Sequence, residues 1–295
     1  PKTRPFDIVH FNHLDAALYE SMVPSGVLRV LDEHNVVLNQ VGTAINHEER
    51  WIRRQVLKHE RKKLAEFEPW LCNRMNRCLV CSYADSCYLK GLGVETPLTV
   101  VPNGVDLTYF SPTDTPLGRR DIVFVGTLDY DPCEKGVWFC CTKILPCLRR
   151  EVPELRFVVV GRNPSSRLRA LARTDSGIVL AGRVDDVRPY VKAARVFVVP
   201  LLSGSGTRLK ILEAMAMGVP VVTTTVGVEG IDAVAGEHLL VADKPDQFAG
   251  AVLSLIRDPN RSRALATRGR RLVESKYGWG PICDGLLREY ASLLN

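Results

Sequence analysis

A chain of 295 residues, 46% hydrophobic and 24% charged, has enough apolar material for two domains with separate cores and too much for a disordered or low-complexity protein. Nowhere do roughly 18 apolar residues run together, and no signal-peptide core opens the sequence, which excludes a spanning helix and points to the cytoplasm. The net charge of +6 is mild, so an anionic partner must be sought in local clusters of cations.

FDIVHF, at 6–11, reads as a buried strand with His10 and His13 at its C-terminal end, where parallel α/β sheets place their ligand crevices. A helical AALYESMV follows. VLRVLDEHN then gives a second strand ending in the polar cluster Asp32, Glu33, His34 and Asn35. A histidine in such a place, like His47 further on, is either a ligand or a satisfied structural residue, and residue type alone leaves both open. Residues 48–71, EERWIRRQVLKHERKKLAEFEPWL, have helical periodicity, with seven basic residues from Arg50 to Lys63 among Trp51, Ile52, Val56 and Leu57. Such a helix fits an anionic membrane surface or a solvated face with local Glu–Lys pairs. Nucleic acid is not expected, because no recognition motif accompanies the cations.

RCLVCSYAD reads as a strand entering a helix capped by Ser82, with Asp85 three residues on. Nine cysteines, an odd number, cannot all pair. Cys78 and Cys81 lack the second CxxC of a zinc ribbon, so buried free thiols are expected and no metal site. GLGVETPLTVVPNGVD gives a turn, a strand and a PNG turn that fixes the chain direction. At 111–120 the composition shifts to SPTDTPLGRR, which predicts a first domain over 1–112 and a second over 113–275; separately, a terminal helix, 276–295, is expected to pack back towards the first.

Beyond Arg120, strands and helices alternate: IVFVGTL, a helix around 135–150, LRFVVVG, a helix around 166–173, GIVLAG and helical VRPYVKAA. Strands apolar throughout and separated by helices predict a parallel sheet covered on both faces, with every C-terminal strand end on one side. On that side stand Gly126, Thr127, Gly161, Arg162, Gly182, Arg183 and the turn at 203–206. Residues 196–222, VFVVPLLSGSGTRLKILEAMAMGVPVV, are strand, glycine-rich turn, helix and strand in succession. The helix N-terminus, Arg208, Lys210 and Glu213 suit a diphosphate with a hydroxylated sugar beside it; the plainer alternative is a crossover helix with surface cations. No GxGxxG marks the first βα unit, so a dinucleotide-dependent dehydrogenase has no support.

VVPNGVD at 100–106, FVGTLDY at 124–130, FVVVGRNP at 157–164, LAGRVDDVRPYVKAARVFVVPL at 180–201, GSGTRLKILEAMAMGVPVV at 204–222 and TTVGVEGI at 224–231 follow one another in an order that resembles the retaining nucleotide-sugar glycosyltransferases of GT-B fold (family 4, group 1 type). The resemblance implies an α/β protein of two Rossmann-like parallel-sheet domains, the second binding a nucleotide sugar and the first an acceptor across a cleft. It also implies transfer to an acceptor hydroxyl with retention, without a metal or other cofactor, in polysaccharide or glycoconjugate synthesis. A glycan or a lipid-linked molecule would be the acceptor, with an anionic membrane surface as a further partner.

Carried over by position, Glu213 matches the glutamate that binds the donor ribose, and Arg208 and Lys210 lie where the diphosphate is held. Lys135 resembles a second phosphate-contacting lysine, and His13 or His10 the first-domain histidine beside the reactive carbon. Gly126, Thr127, Arg162, Arg183, Ser205, Gly206 and Thr207 complete the expected donor site. Ser205 stands where a glutamate eight positions before Glu213 is usual, and Thr127 where an arginine is. FDIVHF resembles a strand from the middle of the family's first domain, so that domain is read as truncated. A nucleotide-sugar-binding remnant without transfer is the competing expectation.

Overall fold

The computed structural model describes residues 6–48, 50–112, 121–204 and 206–294. Ser205 and most of the compositional shift at 111–120 therefore lie outside the described residues. By its contacts the chain divides into two compact units: Pro1–Asn103 with Gly204–Thr207 and Gly280–Asn295, and Gly104–Ser203 with Arg208–Trp279.

The first unit runs β1 (Ile8–Asn12), α1 (Leu14–Ala17), a 3₁₀ turn at Glu20–Met22, β2 (Leu28–Glu33), α2 (Val37–His47), α3 (Trp51–Cys72), β3 (Arg77–Val80), α4 (Tyr83–Gly91) and β4 (Leu98–Val100). Its four strands are parallel and lie in chain order. Phe11, Leu31, Cys78 and Val80 share a core with Leu71 and Cys72 of α3 and Leu89 of α4. Two elements differ from the expectation. The helix after β1 is a single turn followed by the 3₁₀ turn, and α2 precedes the basic helix where none was read.

The N-cap residue of α2 is Val36, which cannot cap. Glu68 of α3 does so instead, accepting from the Val37 and Leu38 N–H groups at 2.7 and 2.9 Å. A partner some thirty residues away in sequence is invisible to local propensity. Ser82 behaves as expected and accepts from the Asp85 N–H at 3.1 Å. All nine cysteines are free, with Cys78 and Cys81 buried as expected; Cys87 and Cys283 are exposed.

The second unit runs β5 (Asp121–Val125), α5 (Asp131–Phe139), a π-helical turn at Cys140–Ile144, α6 (Leu145–Glu151), β6 (Arg156–Val160), α7 (Ser166–Thr174), β7 (Ile178–Gly182), α8 (Arg188–Lys192), β8 (Val196–Val199), α9 (Leu209–Ala216), β9 (Val221–Thr223), α10 (Thr225–Val228), β10 (Leu240–Val241), α11 (Pro245–Arg257) and α12 (Pro259–Lys276). The helix expected around 135–150 is thus interrupted. Pro146, at the start of α6, has no N–H for the preceding turn, and the ladder widens ahead of it.

Every strand pairing here is parallel, in the order β7-β6-β5-β8-β9-β10. The order reverses between β5 and β8, the switch point at which doubly wound sheets open a crevice beyond their C-terminal strand ends. The last helix, α13 (Trp279–Leu294), belongs to the first unit from Gly280 onward. There Glu289 accepts from the Thr99 hydroxyl at 3.1 Å and lies 3.4 Å from Arg77 Nε.

Candidate functional site

At the switch point of the second unit the chain leaves β5 through Gly126 and Thr127, and α9 opens at Leu209 with Arg208 as its N-cap residue. Lys210, in the first turn of α9, reaches across to the exit of β5. Its Nζ lies 4.6 Å from the Phe124 ring centroid and donates to Cys133 Sγ at 3.6 Å. A Cβ on Gly126 would stand 2.6 Å from that Nζ, so the lysine tip occupies the space a side chain there would fill. Among the described residues no carboxylate lies within ion-pair distance of it. Burial accordingly pushes Lys210 below the ordinary lysine range, while the neighbouring Cys133 opposes the shift.

Arg208 is lowered by burial too, with Glu229 the foremost group holding it up. Glu213, one turn beyond Lys210, is raised by burial and drawn back down by Lys210. Two cations at the opening turn of α9 and a carboxyl one turn on, all partly withdrawn from water, therefore gather along a helix whose N-terminal dipole favours an anion.

The neighbouring strand exits are packed backbone to backbone. Gly126 N–H donates to Val160 O at 2.9 Å, and Gly161 N–H to Gly182 O at 2.9 Å. A Cβ on Gly161 would lie 1.8 Å from Gly126 O, which no side chain permits. Thr127, Arg162 and Arg183 are exposed beyond β5, β6 and β7. At normal strand spacing Arg183 stands about 10 Å from the β5 exit, further than Arg162. Lys135, expected at the phosphate, pairs with Asp131 of its own helix at 3.0 Å. Gly206 and Thr207 group with the first unit. Phe124, Cys133 and Glu229 line this site without having been singled out in the sequence; only their proximity to FVG and GVEG hinted at them.

In the first unit, the C-terminal edge of β1 and β2 gathers three histidines. Asn12 pairs in register with Asp32, and His10 lies two residues earlier on the same face. His10 Nδ1 is hydrogen-bonded to the Tyr290 hydroxyl of α13, and its Nε2 lies 3.5 Å from Asp32 Oδ2. The other Asp32 oxygen is 3.8 Å from His34 Nδ1, and His34 Nε2 meets Asn12 Oδ1. His13 stacks on His34 with ring centroids 6.4 Å apart, and its backbone N–H donates to Asp32 O at 2.9 Å. His13 has φ +78°, and among the described residues only Asn163, at the exit of β6, is another non-glycine with positive φ. Backbone held in that region by its surroundings is typical of functional positions.

The family described as "Glycosyl transferases group 1" matches residues 119–258, and that described as "Glycosyltransferase Family 4" matches residues 2–109. A phosphatidyl-myo-inositol mannosyltransferase of Mycolicibacterium smegmatis is 27% identical over 74% of this chain and 58% of its own length. A D-inositol 3-phosphate glycosyltransferase of Rhodococcus opacus is 32% identical over 65% of this chain and 47% of its own length. The chain thus spans about half of the relatives it matches. Among solved structures, the Anabaena protein HepE in complex with UDP superposes with a TM-score of 0.77 over 97% of this chain and 79% of that one, at 13% identity.

Proposed function

The chain belongs to the group 1 glycosyltransferases of GT-B fold, and from that premise we propose that it moves a sugar from a nucleotide-diphosphate sugar to an acceptor hydroxyl with retention of configuration. The observation that carries this reading is the Lys210 ammonium, partly buried at the β5/β8 switch point without a carboxylate partner among the described residues. A departing diphosphate develops negative charge as the glycosidic bond breaks. Lys210, Arg208 and the first-turn N–H groups of α9 would neutralise it in a site already partly stripped of water, without calling on a metal. Glu213, a turn further along, would hold the ribose hydroxyls, and the exits at Gly126, Thr127, Arg162 and Arg183 would frame the rest of the nucleotide. Ser205, Gly206 and Thr207 would complete the donor site.

Among the first-unit histidines we assign the sugar contact to His13. Both ring nitrogens of His10 are engaged by Tyr290 and Asp32, whereas His13, whose backbone donates to Asp32 and whose ring stacks on His34, has Nδ1 3.8 Å from Asp15 and so would offer Nε2 to a sugar hydroxyl. Both relatives carry an inositol joined to phosphate in their names, which supports a polyhydroxylated acceptor; we read that acceptor as a glycan or a lipid-linked molecule of polysaccharide or glycoconjugate synthesis, reached from the cytoplasmic side. The basic half of α3 would rest on an anionic membrane: Trp51 is 71% and Ile52 64% exposed among its cations, although Arg50 and Arg53 also meet Glu48.

A thermal-shift screen of nucleoside diphosphates, followed by sugar release from the matching nucleotide sugars, tests the reading. One base should stabilise selectively and its sugar should be released, and Glu213→Ala should lose most of the stabilisation. Binding without release would favour a donor-binding protein that does not transfer. No stabilisation by any nucleoside diphosphate would end the donor assignment.

A further inference from the structure

Two contacts fix how α13 meets the first sheet. Glu289 is tied to Arg77 of β3 and Thr99 of β4, and the next residue, Tyr290, reaches β1 with its ring edge-on to His10, centroids 6.1 Å apart at 89°. The Tyr290 phenol is raised by burial and then by the negative charge of Asp32, so it keeps its proton. It therefore donates to His10 Nδ1, which assigns the ring proton of a neutral His10 to Nε2, the nitrogen 3.5 Å from Asp32. Asp32 is then shared. One carboxylate oxygen faces His10 and the other His34, while its carbonyl accepts from His13.

We propose that Tyr290 is a positioning residue of the first unit's site: acting through His10 and Asp32, it orients His34 and, stacked against His34, His13. The last helix then supplies part of the acceptor-side machinery in addition to covering the sheet. This rests on the reading above that His13 meets the sugar. The coupling itself requires only the contacts within the first unit.

Tyr290→Phe separates the two roles, because it keeps the ring and removes only the hydroxyl. With six histidines in the chain, the ring nitrogens can be followed individually by long-range proton–nitrogen correlation spectra, assigned with single His→Gln variants. The proposal expects Tyr290→Phe to move the ring-nitrogen resonances of both His10 and His34 while His238, in the second unit, stays in place. A shift confined to His10, or no shift, overturns it.

In turnover with the nucleotide sugar found by the diphosphate screen, kcat should fall about five-fold, the scale of one lost hydrogen bond, with KM for the donor unchanged. An unchanged kcat in an active protein overturns the positioning role. A protein with no turnover at all counts against the reading of the preceding section, and the spectra, which need no substrate, then decide this one.

Discussion

Replacing Lys210 by methionine should make the unliganded protein more stable and its donor site weaker. The side chain keeps its length and its packing against Phe124 but loses a charge that no carboxylate balances within ion-pair distance among the described residues. Relieving a partly buried, unpaired cation is worth about 1–2 kcal/mol, taken at the low end because the residue retains some contact with water. Loss of the cation–π contact returns about 0.5 kcal/mol of that. The net gain of about 1 kcal/mol corresponds to a rise of about 2–4 °C in Tm for a unit of this size.

The pH dependence has a definite sign. Lys210 is lowered in the folded protein from its ordinary 10.5, so between the two values the unfolded chain binds more protons. The penalty is therefore full below that window, and stability rises with pH as it fades through it. With a saturating nucleoside diphosphate the order reverses. A charge-assisted bond to phosphate is worth about 1.5–3 kcal/mol, so affinity should fall about 10- to 100-fold in the variant. Differential scanning fluorimetry with and without nucleotide reads both arms. A lower Tm for unliganded Lys210→Met, or an undiminished nucleotide shift, would refute the reasoning.

Glu33 offers a second test. It is 0% exposed, neither oxygen has a hydrogen-bond partner among the described residues, and burial foremost, then Cys72, Glu68, Asp32 and Asp85, pushes it up to about 9. The folded state binds the extra proton, so between 4.5 and about 9 this group removes about 1.4 kcal/mol of stability per pH unit as the pH rises. In urea unfolding at about pH 5 and about pH 8, Glu33→Gln should lack that loss; parallel profiles for the two proteins would count against it. At the surface, co-sedimentation should favour anionic over neutral vesicles and decline with salt and in Trp51→Ala, since Trp51 is 71% exposed beside Arg50, Arg53 and Arg54. Equal binding to neutral vesicles would remove the electrostatic explanation.

Most of the fold was legible because parallel strands buried on both faces must be apolar through their buried length, and VFVV of β8 and FVVV of β6 are so. The candidate donor residues could be named for a related reason: Lys210 and Glu213 stand on the helix that follows β8 after a glycine-rich turn, and strand ends locate a crevice. What could not be read were contacts between residues distant in sequence. Glu68 capping α2, Cys133 beneath Lys210, and Tyr290 against His10 each join segments that no local pattern links. The interruption at Cys140–Ile144 was legible in principle from Pro146, whose missing N–H disturbs the turn before it. The environment of His10 could not be read in advance either, because its partners, Asp32 and Tyr290, lie far from it along the chain.

For the donor site proposed above, the contact between Gly161 and Gly126 limits how far nucleotide recognition could be redesigned. A side chain at position 161 would collide with a backbone oxygen, not with another side chain, so no second substitution at 126 can make room for it. The two exits form a fixed floor, identical whatever base or sugar is wanted above it. In that proposed site, variation would come from the rim, at the exposed Thr127, Arg162 and Arg183, whereas Asn163 has positive φ and donates to Asp129 at 2.7 Å. A library built on those three positions would test the proposed recognition; one that includes Gly161 mostly explores unfolding.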